Sequence, residues 1–196
     1  MKGFKFGLIV FLSIFMSVSQ VLAATYQIDN AHSQIGFATK HLMVSTTQGH
    51  FKDYTGQIEF DANNLESFAA DVTIQAASID TDNQDRDNHL RSADFFDVAN
   101  NPMMTFKGEE IRPAGDGYEI VGDLTIKGVT KEITIPVTIS GPVTSPYGDE
   151  VIGLSGQTTI NRQDFGVSWN KMLDGGGLVV DDKVKISVEI EAKKAK

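Results

Sequence analysis

Apolar and polar side chains alternate residue by residue through much of this chain. Tyr118, Ile120, Gly122, Leu124 and Ile126 are interleaved with Glu119, Asp123, Thr125 and Lys127. Ile133, Ile135, Val137 and Ile139 are interleaved with Glu132, Thr134 and Thr138. A period of two puts one set of side chains on each face of a pleated strand, so each run predicts a strand with one buried face. The rhythm returns at Ile152, Leu154, Gly156, Thr158 and Ile160, and at Val184, Ile186, Val188 and Ile190 opposite Lys183, Lys185, Ser187 and Glu189. Weaker copies lie at Ser33 to Phe37, Gly49 to Phe60, Val72 to Ala76 and Met103 to Phe106. The count is about eight strands.

Turn residues separate these runs: Gly128, Gly141-Pro142, Pro146-Tyr147-Gly148-Asp149 and Ala114-Gly115-Asp116-Gly117. Short connections of this kind join antiparallel neighbours. Only Asp80 to Phe96 breaks the rhythm, and there Asp82 is expected to cap a short helix with Leu90 on its inner side. Eight amphipathic strands can stack as a sandwich or close on themselves, and closure removes the exposed edges that invite aggregation. The expected fold is all-β: an eight-stranded antiparallel barrel with one short helix and an apolar pore, a barrel just wide enough to be filled by its side chains or to hold one small ligand. Gly122, Gly156 and Ala76 on the alternating faces either leave room inside or mark bulges.

The chain opens differently. Lys2 and Lys5 precede an apolar stretch from Phe6 to Val18 that ends near Val21-Leu22-Ala23. A basic start, a short apolar run and a small-residue cleavage site read as a signal peptide over residues 1–23, cut between Ala23 and Ala24. The run is shorter than the roughly 20 residues that span a bilayer. Cleavage leaves 196 − 23 = 173 residues, one domain over 24–196 that is not membrane-spanning, placed in the periplasm. Without Lys2 and Lys5, 17 − 2 = 15 basic residues face 26 acidic ones, for a net charge of 15 − 26 = −11. That excess repels a phosphate backbone, so no nucleic-acid partner is expected. With no cysteine, thiolate catalysis, disulfide exchange and Cys-ligated metals are excluded.

Other chemistry fares little better. Asp80, Asp82, Asp85 and Asp87 suggest calcium, but Asp85 stands where the calcium-binding loop needs Gly and Arg91 where it needs Glu. His32, His41, His50 and His89 form none of the close pairs used by zinc hydrolases. Gly153-Leu154-Ser155-Gly156 lies within a strand, away from any strand-to-helix nucleophile turn. Gly175-Gly176-Gly177 is followed by no phosphate-binding helix. No catalytic residue, metal or cofactor is expected.

Three segments stand out together: Asp85-Arg86-Asp87-Asn88-His89-Leu90-Arg91-Ser92-Ala93-Asp94-Phe95-Phe96-Asp97 with Pro102 and Phe106, Gly122 to Lys131, and Asn161-Arg162-Gln163-Asp164-Phe165-Gly166-Val167. Together they resemble the YceI-like periplasmic proteins, which share a shape with lipocalins. Tyr26-Gln27-Ile28-Asp29 with His32, Ser33 and Phe37 is similar too. The resemblance implies a lipocalin-like eight-stranded barrel around an apolar pore that binds a polyisoprenoid or similar amphiphilic lipid, and it carries over no catalytic residue. On that reading Phe37, Phe51, Leu90, Phe95, Phe106, Phe165 and Trp169 are candidates for the tail, and His32, His89, Arg91 and Asn170 for the polar end. The ligand is a polyisoprenoid, a quinone-like molecule or a fatty amphiphile; a homodimer is a further association compatible with this reading. Two alternatives remain open: an enzyme acting on a lipid or redox partner at the pore mouth, where His32, His89 and Arg91 would converge, and a filled structural barrel that mediates protein contacts.

Overall fold

The computed structural model describes residues 23–172 and 176–196. The expected leader before Ala23, and Gly175 of the glycine run, lie outside the described residues. The strands are β1 (Ala24–Ile28), β2 (Gln34–His41), β3 (Ser45–Phe51), β4 (Tyr54–Phe60), β5 (Ala69–Gln75), β6 (Ile79–Asp80), β7 (Met103–Ala114), β8 (Gly117–Ile126), β9 (Val129–Thr144), β10 (Glu150–Asn161) and β11 (Val180–Lys194), with one helix, α1 (Gln84–Arg91).

These elements form a closed antiparallel barrel with eight strand positions. Three positions are each made of two short strands in line: β1 with β2, β3 with β4, and β5 with β6. Pairing runs β1–β4–β5–β7–β8–β9–β10–β11, and β11 closes the ring by pairing with both β1 and β2. Long β11 sets Ile28 opposite Ala192 and Ile35 opposite Val188. Between them the chain steps out through a 3-10 turn at Asn30–His32, capped by the Asp29 carboxylate on the Ala31 N–H. Ser33 replaces the interrupted ladder: its hydroxyl donates to the Glu191 carbonyl and accepts from the Glu191 N–H. The expected strand at Gly49 to Phe60 is likewise two, broken at Lys52-Asp53, where the Gln75 N–H turns to the Asp53 carbonyl.

The strongest sequence rhythms occupy the longest strands, and their apolar sets point inward. Outward faces carry Glu132, Lys183, Lys185 and Glu189, the reverse of a membrane barrel's apolar exterior. The expected helix forms one residue later than read. Asp80 accepts the Asp82 N–H and bends the chain there, with Asp82 at φ 59°, so Asn83 becomes the cap and accepts the Arg86 N–H. Buried Asp87 then accepts from the Thr81 N–H and hydroxyl, tying the helix to β6. The small residues do not open the interior. A Cβ on Gly122 would sit 2.2 Å from the Lys107 carbonyl oxygen, so that glycine permits close approach of β7 and β8 beside their bulge. Gly156 is occupied in the same way by Val137, and Ala76 sits in a 3-10 turn.

The two ends of the barrel differ. At the β4–β5, β7–β8 and β9–β10 end, Phe60 packs edge-on against Tyr118 at 6.1 Å between centroids, and buried Tyr26 donates to Glu150 at 2.8 Å. At the other end lie α1, the 92–102 segment, the β2–β3 turn and the segments 162–172 and 176–179.

Candidate functional site

The inner faces of the strands enclose a cavity of about 200 Å3. Its wall is aliphatic and aromatic apart from Gly36, Thr39 and Arg162. Phe37, Val72, Phe106, Ile133 and Ile186 all point inward yet are only half-buried, because the surface they face is the cavity. Such a space, lined like the engineered apolar cavity of about 150 Å3 that stays dry and takes up benzene, repels water and accepts hydrocarbon.

Six of the seven expected tail residues line it: Phe37, Phe51, Leu90, Phe95, Phe106 and Phe165. Phe37 and Phe51 lie tilted at 5.7 Å, and Phe51 meets Phe96 edge-on at 6.1 Å. Gly49 accommodates this cluster, since a Cβ there would come within 2.5 Å of the Phe37 ring. Trp169 does not line the cavity. It stacks at 5.2 Å on Phe95 and meets His89 edge-on at 5.0 Å, closing over the wall from outside.

The four expected polar-end residues are not brought together. His32 is exposed at the β1–β2 corner, with Nδ1 2.9 Å from Asp29. His89 binds Asp94 through Nε2 at 2.9 Å. Arg91 donates to the Ala77 and Ile79 carbonyls and fastens α1 to β6. Asn170 pairs with the Val180 backbone, donating to its carbonyl and accepting its N–H. Each is spent on local structure, and among the described residues no hydrogen bond or ring contact joins His32, His89 and Arg91. His32, His89 and Arg91 therefore form no directly bonded cluster.

The charged residue among the cavity liners is Arg162, which the sequence marks only as part of a family-like segment and not as a site candidate. It is 5 % exposed. Its guanidinium donates to the carbonyls of Val167 at 2.6 Å, Trp169 at 2.8 Å and Asp181 at 3.0 Å, and to the Asp182 carboxylate at 2.9 Å. Burial draws its pKa below the ordinary value, and Asp182 opposes that. With its donors engaged, Arg162 ties Val167 and Trp169 to the start of β11 at Val180 to Asp182 and offers little to a ligand. Thr39 likewise donates to the Asp181 and Lys183 carbonyls. No sequence spacing reveals Arg162, because most of its partners are backbone carbonyls. Phe96 and the β-branched liners Val184, Ile186 and Val188 were within reach, since the alternation had already set the β11 residues on the inner face.

Two polar clusters lie outside the barrel. Asp29, His32 and Glu191 bring three possible metal-ligand atoms within 4.8 Å of one another. The Lys193 ammonium already sits 2.5 Å from the Asp29 carboxylate, and it and His32 hold that carboxyl well below the usual range. Asp80 is paired with Lys52 and Asp87 with Thr81, so two of the four acidic residues of the 80–87 run are used internally.

Relatives match this chain over most of its length. A UPF0312 protein of Staphylococcus epidermidis is 44% identical over 167 residues, covering 85% of this chain and 95% of that protein. A UPF0312 protein of Pseudomonas paraeruginosa is 37% identical over 179 residues, covering 90% and 92%. Among solved structures, Burkholderia cenocepacia BcnA superposes with a TM-score of 0.74 at 29% identity over 84% of this chain and 98% of that one. A polyisoprenoid binding domain from Saccharophagus degradans shares the fold, with a TM-score of 0.62 at 14% identity, covering 88% of this chain and 99% of that one. The YceI-like domain matches residues 26–192, every strand from β2 to β10 with part of β1 and most of β11, and the chain belongs to that family.

Proposed function

We propose that this protein is exported and holds an isoprenoid or similar amphiphilic lipid by its hydrocarbon tail, as a periplasmic binder or carrier. The observation that carries this reading is the apolar wall of half-buried, inward side chains around the cavity. Each buried CH2 contributes about 0.8 kcal/mol, so one isoprene unit supplies about 4 kcal/mol before the cost of immobilisation. A head-group hydrogen bond nets about 1 kcal/mol. The tail therefore sets affinity. Thr39 and Arg162, the polar side chains in the wall, are already hydrogen-bonded, which favours a head group that stays at the mouth in water and carries no strong charge. The polyisoprenoid named for the Saccharophagus degradans domain, which has the same barrel, agrees with this ligand class. A binding protein, and not an enzyme, is the reading that the dispersed His32, His89 and Arg91 favour. Export is supported by the leader pattern and by β1 beginning at Ala24, the residue after the expected cut.

Native mass spectrometry of protein purified from its own host tests the reading. The expected result is a mature chain starting at Ala24 with a bound lipid that organic extraction releases. Protein that carries no lipid and takes up neither a polyprenol nor a fatty amphiphile would refute it.

A further inference from the structure

Seven large apolar side chains stand exposed among the described residues, and four of them gather at one place: Leu42, Met43, Val44 and Met172. Met43 is 60%, Val44 81% and Met172 77% exposed. The backbone joins them. The Leu42 N–H donates to the Val179 carbonyl at 2.9 Å, the Val179 N–H donates to the Lys171 carbonyl, and Met172 bridges to Leu178. Leu42 and Met43 both adopt left-handed backbone, φ 52° and 62°, which Gly or Asn enters more easily. The β2–β3 turn thus holds two large apolar groups outward in a conformation that does not suit them and gives them no core to fill.

This apolar crest stands at the cavity. Thr39 and Val180 line the cavity wall, and Val180 pairs with His41, next to Leu42. The chain carries 26 acidic residues and a net charge of −9, yet from Ala31 to Lys52, through the β2–β3 turn, there is no Asp or Glu; on the facing segment Asp181 and Asp182 follow Val180, and Asp182 is paired with Arg162. Lys40 and His41 lead into the crest, and Lys171 adjoins Met172.

We propose that Leu42, Met43, Val44 and Met172 dock the barrel mouth on a bilayer with anionic head groups, where lipid enters and leaves the cavity. The proposal rests on the lipid-binding reading above and names where the exchange takes place. Apolar insertion combined with basic residues is the pairing that holds a protein reversibly at a membrane surface. Four side chains fall well short of the roughly 800 Å2 that each partner buries in a standard protein interface, which disfavours a second copy as the occupant. Of the other three exposed apolar groups, Val143 and Tyr147 stand at the β9–β10 turn, at the opposite end of the barrel, and Met103 at the start of β7.

The test compares the full mature chain with a Met43→Asp, Val44→Asp, Met172→Asp variant; Asp tolerates the left-handed backbone at Met43, so folding is retained. The parent is expected to pellet with phosphatidylglycerol/phosphatidylcholine vesicles more than with pure phosphatidylcholine ones. The variant should pellet at least tenfold less and extract a fluorescent polyprenol from those vesicles at least tenfold more slowly. Uptake of the same polyprenol added without vesicles should be equal in both. A variant that loads from vesicles at the parental rate overturns the docking site and leaves the lipid-binding reading standing. A parent that takes up no polyprenol without vesicles overturns the lipid-binding reading, and vesicle pelleting alone then decides the docking. A parent dimer that the variant converts to monomer assigns the crest to self-association and also overturns the proposal.

Discussion

Filling the cavity from the protein side separates a binding barrel from a packed one, because the two predict opposite signs. Val188 is inward, half-buried and part of the cavity wall. A hollow in a protein interior costs about 24 cal/mol per Å3. At about 200 Å3 the whole cavity corresponds to roughly 5 kcal/mol that a ligand or added side chains could recover. Val188→Phe fills part of it and should stabilise the ligand-free protein by about 1 kcal/mol, raising Tm by about 2–4 °C. The same ring occupies the space a tail needs, so affinity for a fluorescent polyprenol should fall at least tenfold. Ile111→Phe is the control: Ile111 is 4% exposed and lies outside the cavity wall, where overpacking costs about 1–3 kcal/mol. Thermal unfolding followed by circular dichroism, with probe titration alongside, reads both quantities. If Val188→Phe destabilises as much as Ile111→Phe, or leaves probe binding unchanged, the cavity is not the ligand's place.

Removing Arg162 should open the mouth loop: Arg162→Met leaves the Val167, Trp169 and Asp181 carbonyls and the Asp182 carboxylate without their donor, costing about 3–5 kcal/mol, with hydrogen exchange quickening first across 166–182. Asp87→Ala should cost about 1–3 kcal/mol, seen in urea unfolding, because the buried Thr81 N–H and hydroxyl lose their acceptor. At high pH, Tyr26 is pushed up to about 12 by burial and then by its bond to Glu150; its neutral form is favoured on folding, so that stability is present below pH 10 and lost as pH rises towards 12. Tyr26→Phe should flatten alkaline unfolding over that window. At low pH the sign reverses. Asp29, held low by Lys193 and His32, contributes stability above its unfolded pKa near 4 and loses it as pH falls below, so Asp29→Asn should make the acid limb shallower.

Alternation alone carried the architecture. Tyr118 to Ile126, Ile133 to Ile139 and Val184 to Ile190 needed only their period of two to declare an inner face, since a one-residue slip would turn every apolar group to water. The polar turns between them made the neighbours antiparallel, and the missing cysteines left the core as the source of stability. Of the six tail candidates that line the cavity, Phe37, Phe51 and Phe106 do so for the same reason, being aromatic groups on inner strand faces, whereas Leu90, Phe95 and Phe165 reach it from α1, the 92–102 segment and the turn after β10.

What tertiary structure decided are the meetings between distant segments. Ser33 bridges the gap left beside Glu191, splitting one strand position into β1 and β2. Arg162 is buried against carbonyls that its own loop brings back, while His32, His89, Arg91 and Asn170 each find a nearby partner and never converge. Gly122 and Gly156, which alternation leaves open as room inside or as bulges, are points of close packing. A periodic pattern tells which way a side chain points, but hydrogen bonding and cavity shape depend on what stands opposite, and only closure of the ring settles that.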